Sequence, residues 1–342
     1  MTQHRGMGIG VVGAGLIVQN AHLPAYRSAG YTVEAITDQN VELAAQVAAT
    51  WGLRHLRTVD ELVADPDVNV VDIAITPEGQ DAVARKAFAA GKHVLAQKPL
   101  ASTLDAARSL VEAAEQAGVL LAVNQQQRWS PAVRAFRAAL DDGFLGDPIT
   151  LSYRVDIAGE YAPEHWLSQL PRFMATYGTI HYIDSARALF GEPEFVTARL
   201  LSSAGQVSAG ETFINAWIEW ASGVRMIVFE RYTNAAAPEP SMIRLDGTRG
   251  SVRARLGVYD DYPKPIPDVV ERSAHDGREW KDVSDGSTWL PDAFAGPMGS
   301  LLDAVRLGGE PVTSGADNLK TLAVVEALYR SDAERRTVRI EP

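Results

Sequence analysis

The sequence predicts an α/β domain built on a parallel sheet, followed by an α+β domain with an open, mostly antiparallel sheet. Three observations support this. Apolar strands alternate with helical segments from Met7 to about Val123, as in a sheet covered on both faces. A glycine-rich turn follows the first strand, and beyond residue 200 apolar residues recur at every second position. We expect domains at residues 1–127 and 128–342, with the last helix packing back on the first domain.

Two overlapping frames compete for a G-x-G-x-x-G pattern at the first turn. The frame of Gly8, Gly10 and Gly13 is complete, but we reject it because it places glycines where the strand should be. In the second frame Gly13 makes the tight turn, Gly15 lets the backbone approach a pyrophosphate, and Val18 takes the third position. This frame predicts a Rossmann dinucleotide-binding domain, and an ordinary glycine-rich turn is the alternative. The candidate cofactor contacts in the turn are Gly13, Ala14, Gly15, Leu16 and Ile17.

Polar residues stand at the ends of the later strands, and ligands of such sheets bind beyond those ends. Asp38 ends the second strand, 25 positions after Gly13. An acidic group there accepts both ribose hydroxyls of NAD and repels the extra phosphate of NADP. We therefore expect NAD as cofactor, with NADP disfavoured by Asp38. The candidate contacts at the strand ends are Asp38, Thr76, Pro77, Gln97, Lys98 and Asn124.

Helical spacing, glycine stops and short apolar runs predict the other elements. In the first domain we expect strands at 9–12, 32–37, 70–75, 93–96 and 119–123. We expect helices at 41–51 and 78–90, one that begins near Leu16, and one that Ser102 or Thr103 caps and that runs to Gln116. In the second, Ser130 and Pro131 begin a helix. A hairpin follows at 214–228, then helices at 294–307 and 316–334 and a strand at 338–340. We expect residues 260–285 to be irregular, because this stretch contains three prolines.

Composition excludes several functional classes. A net charge of −11 argues against nucleic acid or anionic membrane as a partner. The absence of cysteine excludes disulfides and thiolate metal sites, and the seven histidines lack the paired spacing of zinc ligands, so we predict no metal. His4 and Arg5 before an apolar run imitate a secretory signal, but the glycines in that run make a poor signal helix. We expect a cytoplasmic protein.

Lys98 and His181 are the candidate catalytic residues. Lys98 follows a buried strand at the place where a nicotinamide ring would lie, and there it can stabilise a developing alkoxide. Taken alone it could also be a surface lysine. His181 shares a helix face with Tyr177 and Asp184, four and three positions away, so it can relay a proton while one of them orients it. A structural histidine is the alternative.

Aromatic residues and arginines cluster around the expected domain junction. Aromatic faces beside hydrogen-bonding cations suit a polyhydroxylated ring, but for each residue taken alone ordinary core and rim packing is the favoured alternative. The candidate substrate contacts are Lys98, Arg128, Trp129, Arg154, Trp166, Arg172, Tyr177 and His181.

One face of the predicted hairpin is too apolar for open water. Phe213, Trp217, Ile227 and Phe229 share this face. We expect a partner subunit to cover it, which predicts a homodimer or homotetramer. A second layer of the same chain is the alternative.

With these residues in order, the chain resembles the Gfo/Idh/MocA family, the glucose–fructose oxidoreductase and inositol dehydrogenase group. The resemblance covers nearly the full length. It implies NAD(P)-linked oxidation of a sugar or cyclitol hydroxyl, a sheet that is often used for dimer or tetramer contacts, Lys98 as catalytic lysine and His181 as acid/base. It rests on Gly13-Ala14-Gly15 with Asn20-Ala21-His22-Leu23-Pro24, on Asp38, Thr76-Pro77, Gln97-Lys98-Pro99, residues 178–184 and Asp317-Asn318-Leu319.

Three departures from the family pattern concern the site. Gln97 replaces the family's glutamate before the lysine, Tyr177 stands where the family often has aspartate, and the usual histidine after Thr76-Pro77 has no counterpart at Gln80-Asp81. Our main hypothesis is an NAD-dependent dehydrogenase or reductase acting on CH–OH groups of a carbohydrate-like substrate. The alternatives are a redox-neutral enzyme that retains NAD, such as an epimerase, lyase or glycosidase, and a non-catalytic regulator that binds NAD and sugar.

Overall fold

The computed structural model describes residues 7–159, 161–233, 239–274 and 279–341. His4 and Arg5, on which the signal-like start depends, lie outside these ranges, as does His275. The chain divides into two compact units, which are described separately. The N-terminal unit comprises the residues up to Gln126 together with Leu290–Leu319, and the C-terminal unit comprises Gln127–Trp289 and the residues from Lys320 onward. Within the described ranges, no helix has the length and apolar character to cross a membrane.

The N-terminal unit is built on a six-stranded parallel sheet, which confirms the predicted Rossmann fold. The strand order 3-2-1-4-5-6 reverses between the first and fourth strands, and sheets of this kind bind ligands at that reversal. The strands are β1 (Gly8–Val12), β2 (Thr32–Thr37), β3 (Arg54–His55), β4 (Val68–Ile73), β5 (His93–Ala96) and β6 (Leu121–Val123).

Local sequence signals define the helices of this unit. Asn40, Thr58 and Thr103 cap helices by accepting backbone N–H groups of the first turn. Gly52 and Gly118 end helices in the left-handed conformation that glycine adopts without strain. The helices are α1 (Leu23–Ala29), α2 (Val41–Trp51), α3 (Val59–Ala64), α4 (Pro77–Ala89) and α5 (Leu104–Ala117).

A later part of the chain returns to the N-terminal unit. The helix Ala295–Leu307 packs on β5, β6 and α1, and the N–H of Val123 donates to the carbonyl of Thr313 at 2.8 Å. The sequence-based expectation concerned the last helix, Gly315–Glu334, but only its first turn belongs to this unit. The remainder of that helix belongs to the C-terminal unit.

The C-terminal unit is built on a nine-stranded, mostly antiparallel sheet, as predicted. Its order is 14-13-12-11-7-10-9-8-15, and the pair of strands 7 and 10 is parallel. The strands are β7 (Pro148–Ala158), β8 (Phe195–Leu201), β9 (Phe213–Glu219), β10 (Arg225–Thr233), β11 (Met242–Gly247), β12 (Gly250–Arg255), β13 (Val269–Ala274), β14 (Lys281–Asp282) and β15 (Val338–Arg339). Helices α6 (Pro131–Asp141) and α7 (Ile180–Phe190) complete it with most of the last helix.

The two faces of this sheet have different surroundings. On the inner face, Tyr153 of β7 stacks on Tyr182 of α7, with ring centroids 4.4 Å apart. On the outer face, Trp217 and Ile227 remain 40% and 39% exposed. The stretch 260–285 is less irregular than expected, because β13 and β14 lie within it and the three prolines all precede β13.

Candidate active site

The turn after β1 has the geometry of the second glycine frame. Gly13 has a φ of +113°, and a Cβ there would lie 2.4 Å from the carbonyl oxygen of Ala74, so only glycine fits. A Cβ on Gly15 would meet no atom within 4 Å, which leaves room for a ligand to approach the backbone. Gly8 and Gly10 lie inside β1, as the rejection of the first frame required.

The chain after the turn is helical from Leu16 onward, and this helix contains one π-turn, Val18–His22. The N–H groups of Val18 and Gln19 both approach the carbonyl of Gly15, at 3.1 and 3.2 Å. The valine side chain is fully buried. The wider turn therefore begins at the position where a valine replaces the usual small residue, and π-turns within helices are frequent at functional sites.

Asp38 lies directly against the glycine turn. Its carboxylate accepts the N–H of Ala14 at 2.7 Å and the N–H of Asn40 at 2.7 Å, one on each oxygen. Within the described ranges no cation forms an ion pair with it, and each carboxylate oxygen can accept a further hydrogen bond. An anionic group with spare acceptor capacity beside an open glycine turn fits the adenosine ribose and pyrophosphate of a dinucleotide.

Backbone hydrogen bonds bring the other strand ends to the same edge of the sheet. The N–H of Gln97 donates to Ile73 at 3.0 Å, and the N–H of Asn124 donates to Ala96 at 2.8 Å. β4 ends at Ile73, two residues earlier than expected, so that Thr76 becomes the N-cap of α4 and Pro77 its first residue. The candidate cofactor contacts of the N-terminal unit therefore lie along one edge.

Gln80, which sequence reasoning did not assign, anchors the segment that carries Lys98. Its side chain is fully buried. The amide nitrogen donates to the carbonyls of Gln97 (2.9 Å), Pro99 (3.2 Å) and Leu100 (2.9 Å), while the amide oxygen accepts the N–H of Gln97 at 2.9 Å. One side chain thus fixes the backbone on both sides of Lys98, which is itself half-buried.

His22 was also not assigned a role from sequence. It is fully buried, with Nδ1 2.7 Å from Oδ2 of Asp72 and Nε2 3.0 Å from Nε2 of Gln97. The Tyr26 hydroxyl donates to the same aspartate oxygen at 2.8 Å. Burial raises the pKa of Tyr26 well above its ordinary value, so this hydroxyl keeps its proton. An aspartate within an apolar strand was the signal that could have pointed to this cluster.

In the C-terminal unit, His181 lies in the first turn of α7 and is only 8% exposed. Its ring and that of Trp289 are nearly perpendicular, with centroids 5.6 Å apart. Tyr177 lies in a π-turn, Ala175–Thr179, that leads into α7, and its ring meets Trp166 edge-on at 5.5 Å. Trp166 is 39% exposed, so an aromatic surface remains open beside Tyr177.

Two buried carboxylates hold the segment that carries Tyr177 and His181. Glu211 accepts the N–H groups of Phe173 and Ala175, at 3.2 and 3.0 Å. Glu230 accepts the hydroxyl of Thr179 at 2.5 Å, and it lies so close to Gly178 that a Cβ there would be 2.6 Å from its oxygen. The start of α7 is therefore held from the sheet by Glu230 of β10 and by Glu211, two residues before β9.

The arginines proposed from the sequence occupy three different settings. Arg128 forms two hydrogen bonds with Asp184, at 2.6 and 2.7 Å, so that Asp184 is committed to this arginine.

Arg172 forms an ion pair with Glu326 at 2.9 Å and lies over the ring of Tyr329 at 3.8 Å. Although burial opposes its charge, the hydrogen-bonded Glu326 raises the pKa of Arg172. Arg154 lies on the outer face of the sheet, over Phe229, because its neighbour Tyr153 points inward. The structure does not bring Arg154 to the side of the sheet on which α7 lies. Trp129 is half-buried in a short helical turn, Gln126–Trp129.

Lys98 belongs to the N-terminal unit and His181 to the C-terminal unit. The catalytic roles expected from the sequence require the two side chains to meet at the nicotinamide, and that meeting stays a prediction. In the part of the chain that the structure describes, no three histidine, aspartate or glutamate side chains are arranged to hold a metal ion.

Two family models match the chain. The model described as oxidoreductase family, NAD-binding Rossmann fold, matches residues 7–125, and that described as oxidoreductase family, C-terminal alpha/beta domain, matches residues 137–340. D-apiose dehydrogenase of Paraburkholderia graminis is 32% identical over 97% of this chain and 89% of its own length. The 1,5-anhydro-D-fructose reductase of Ensifer adhaerens is 30% identical over 97% of this chain and 98% of its own.

Among solved structures, an oxidoreductase from Agrobacterium radiobacter in complex with NAD+, L-tartaric acid and magnesium is similar to this chain. Its TM-score is 0.84 with 28% identity, and the match covers 98% of each chain.

Proposed function

The chain belongs to the Gfo/Idh/MocA oxidoreductase family, and we propose that it is an NAD-dependent enzyme acting on a sugar or cyclitol hydroxyl. The observation that carries this proposal is the shared sheet edge in the N-terminal unit. The open turn at Gly15, the acidic Asp38 and the anchored Lys98 all follow strands of one parallel sheet. The relatives named D-apiose dehydrogenase and 1,5-anhydro-D-fructose reductase support a sugar-like substrate.

The chain's own residues divide the chemistry between them. When bound, the nicotinamide supplies the hydride acceptor or donor. Lys98 donates a hydrogen bond to the substrate oxygen and stabilises the negative charge that develops there. His181 takes the hydroxyl proton during oxidation and returns it during reduction, with Tyr177 beside it to orient the substrate. Gln80 keeps Lys98 in place through the four backbone contacts described above.

We propose that the substrate is uncharged. Arg128 and Arg172 are already paired with Asp184 and Glu326, and Arg154 lies on the outer face of its sheet. None of these three arginines is placed to neutralise a substrate carboxylate or phosphate. The exposed ring of Trp166 beside Tyr177 instead suits the C–H face of a neutral ring.

A plate screen tests this function directly. Neutral aldoses, ketoses, anhydrosugars and cyclitols, with uronic acids and sugar phosphates for comparison, are incubated with enzyme and either NAD or NADP, and absorbance of the reduced nicotinamide is followed. We expect turnover of a neutral compound with NAD. Substrate conversion without net reduced nicotinamide would favour the redox-neutral alternative, and tight NAD binding without any conversion would favour the regulator.

Cofactor preference depends on the charge of Asp38. We expect Asp38→Asn to raise the ratio of kcat/KM with NADP to that with NAD by about tenfold or more, because it removes like-charge repulsion worth more than about 1.4 kcal/mol. The asparagine oxygen can still accept the Ala14 N–H, so the turn keeps that hydrogen bond, and the Asn40 N–H loses its acceptor. Steady-state kinetics with both cofactors measure the ratio. An unchanged ratio would show that Asp38 does not select the cofactor.

We propose that the outer face of the C-terminal sheet joins two or more copies of the chain. The proposal depends on an apolar patch of this face formed by Phe213, Trp217, Ile227 and Phe229, of which Trp217 and Ile227 are about two-fifths exposed. We expect the parent to be a dimer or tetramer by light scattering and Ile227→Asp to lower its mass toward a monomer. Leu307→Asp, at a 68% exposed leucine of the N-terminal unit, is the matched control and should leave the mass unchanged. A monomeric parent would contradict the proposal.

A cytoplasmic location also stays a proposal, which cell fractionation can test.

A further inference from the structure

A largely buried cluster of polar side chains in the N-terminal unit includes Gln97, the residue before Lys98. His22, Asp72 and Asn124 are at most 1% exposed, and Gln97 is half-buried. His22 contacts a polar residue from each of three neighbouring strands: Asp72 in β4, Gln97 just after β5 and Asn124 just after β6. The proposed function uses none of the contacts of His22, and yet this histidine is the centre of the cluster.

The orientation of the Gln97 amide is fixed by its neighbour. Its Oε1 accepts the backbone N–H of Lys98 at 2.9 Å. A backbone N–H only donates, so the oxygen of the amide must face it. The other end of the amide, Nε2, then points to His22 Nε2 at 3.0 Å. The opposite rotamer would set a donor against a donor at Lys98.

This orientation fixes the tautomer of His22. The Gln97 amide donates, so His22 Nε2 must accept, and its single proton is on Nδ1. From Nδ1 it donates to Asp72 Oδ2 at 2.7 Å. Asn124 Nδ2 lies 3.3 Å from the same accepting nitrogen. The donors and acceptors of the cluster are consistent with each other only when His22 is neutral and carries its proton on Nδ1.

We infer that His22 is a positioning residue for Lys98. As the neutral Nδ1–H tautomer, held by Asp72, it accepts a hydrogen bond from the Gln97 amide and so fixes the amide oxygen that accepts the Lys98 backbone N–H. The inference rests on the proposed function only in the role of Lys98. The inference also depends on residue 97 being a glutamine. A glutamate at this position would set a carboxylate oxygen against His22 Nε2, and the ring would then need a second proton to donate to both carboxylates.

The first test uses the unaltered protein and requires no turnover. Long-range nitrogen–proton NMR of histidine-labelled protein near pH 7.5 distinguishes the two neutral tautomers and the imidazolium. His93 is an internal reference, because its Nδ1 accepts the N–H of Leu120 at 3.0 Å and its proton must therefore be on Nε2. We expect His22 in the Nδ1–H form and His93 in the Nε2–H form. Gln97→Glu, which also assigns the signal, should convert His22 to the imidazolium. A parent His22 in the Nε2–H or imidazolium form would overturn the inference.

The second test separates positioning from support of the fold. We expect His22→Phe and Gln97→Met each to lower kcat about tenfold, with KM for NAD within about twofold, because a small displacement of a catalytic group is costly. The double variant should also lose about tenfold rather than a hundredfold, because His22 acts through Gln97. His93→Phe, at the opposite end of β5, is the control and should keep its kcat.

A double variant whose loss of kcat is the product of the two single losses would contradict the positioning role. So would a His22→Phe protein with a lower Tm and an unchanged kcat. If no compound turns over, the proposed function fails, while the tautomer measurement still decides the geometry of the cluster.

Discussion

Lys98→Met should lower kcat about 10³-fold while NAD binding stays within about threefold. Methionine keeps the length and apolar stem of the side chain but removes the group that donates to the substrate oxygen, and loss of one such donor costs about 10² to 10³ in rate. The four backbone contacts from Gln80 do not involve the Lys98 side chain, so the segment should keep its shape. Single-turnover absorbance of the reduced nicotinamide measures the rate, and fluorescence quenching measures NAD binding.

Lys92 provides the matched control. It is one residue before β5, and its Nζ donates to the carbonyls of Asp65 and Val68 at 3.0 and 2.6 Å, so its role is structural. Lys92→Met should lower Tm and leave kcat nearly unchanged. A Lys98→Met enzyme that retained half of the parent's kcat would sink the proposed role of Lys98.

His181→Gln should lower kcat for alcohol oxidation about 10²-fold, the usual contribution of a positioned general base. Glutamine keeps hydrogen-bonding capacity in the buried space beside Trp289 but cannot take a proton at working pH. In the parent, oxidation should quicken as pH rises, because a base must be deprotonated to act. The variant should lose that dependence. Stopped-flow pH profiles from pH 5 to 9 provide the measurement.

His93→Gln is the control for this substitution, since His93 starts β5 in the N-terminal unit and its ring accepts a backbone N–H. Its pH profile should match that of the parent. Persistence of the parent's profile in His181→Gln would mean that another group is the base.

Much of the architecture could be predicted from the sequence because the signals are local. The second strand, the helix after it and the fifth strand have the expected bounds, Thr32–Thr37, Val41–Trp51 and His93–Ala96. The glycine frame could be chosen because the other frame places glycines where the first strand should be, and in the structure Gly13 indeed has a positive φ and too little space for a Cβ. The Val70 strand was placed two residues late, since a continuous apolar run does not show where its hydrogen bonds end.

Fewer contacts of the candidate site could be predicted from the sequence. Arg154 was counted among the substrate contacts because it lies near the expected domain junction in the sequence. β7 had not been identified as a strand, however, and neighbours in a strand, such as Tyr153 and Arg154, point to opposite faces. Asp184 was expected beside His181 at helical spacing, whereas it forms its ion pair with Arg128, 56 residues earlier in the chain. Helical spacing predicts which residues share a face, but it does not predict which partner a charge finds.

By itself the sequence determined the fold class, the glycine turn, Asp38 and the lysine at the strand end, because sterics and apolar periodicity act within a few residues. Only the tertiary structure decided what holds Lys98. Gln80, Asp72 and His22 reach the cluster from separate elements, with His22 50 residues from Asp72 and 75 from Gln97. Buried donors and acceptors must be paired wherever the fold places them, so such contacts leave no local pattern.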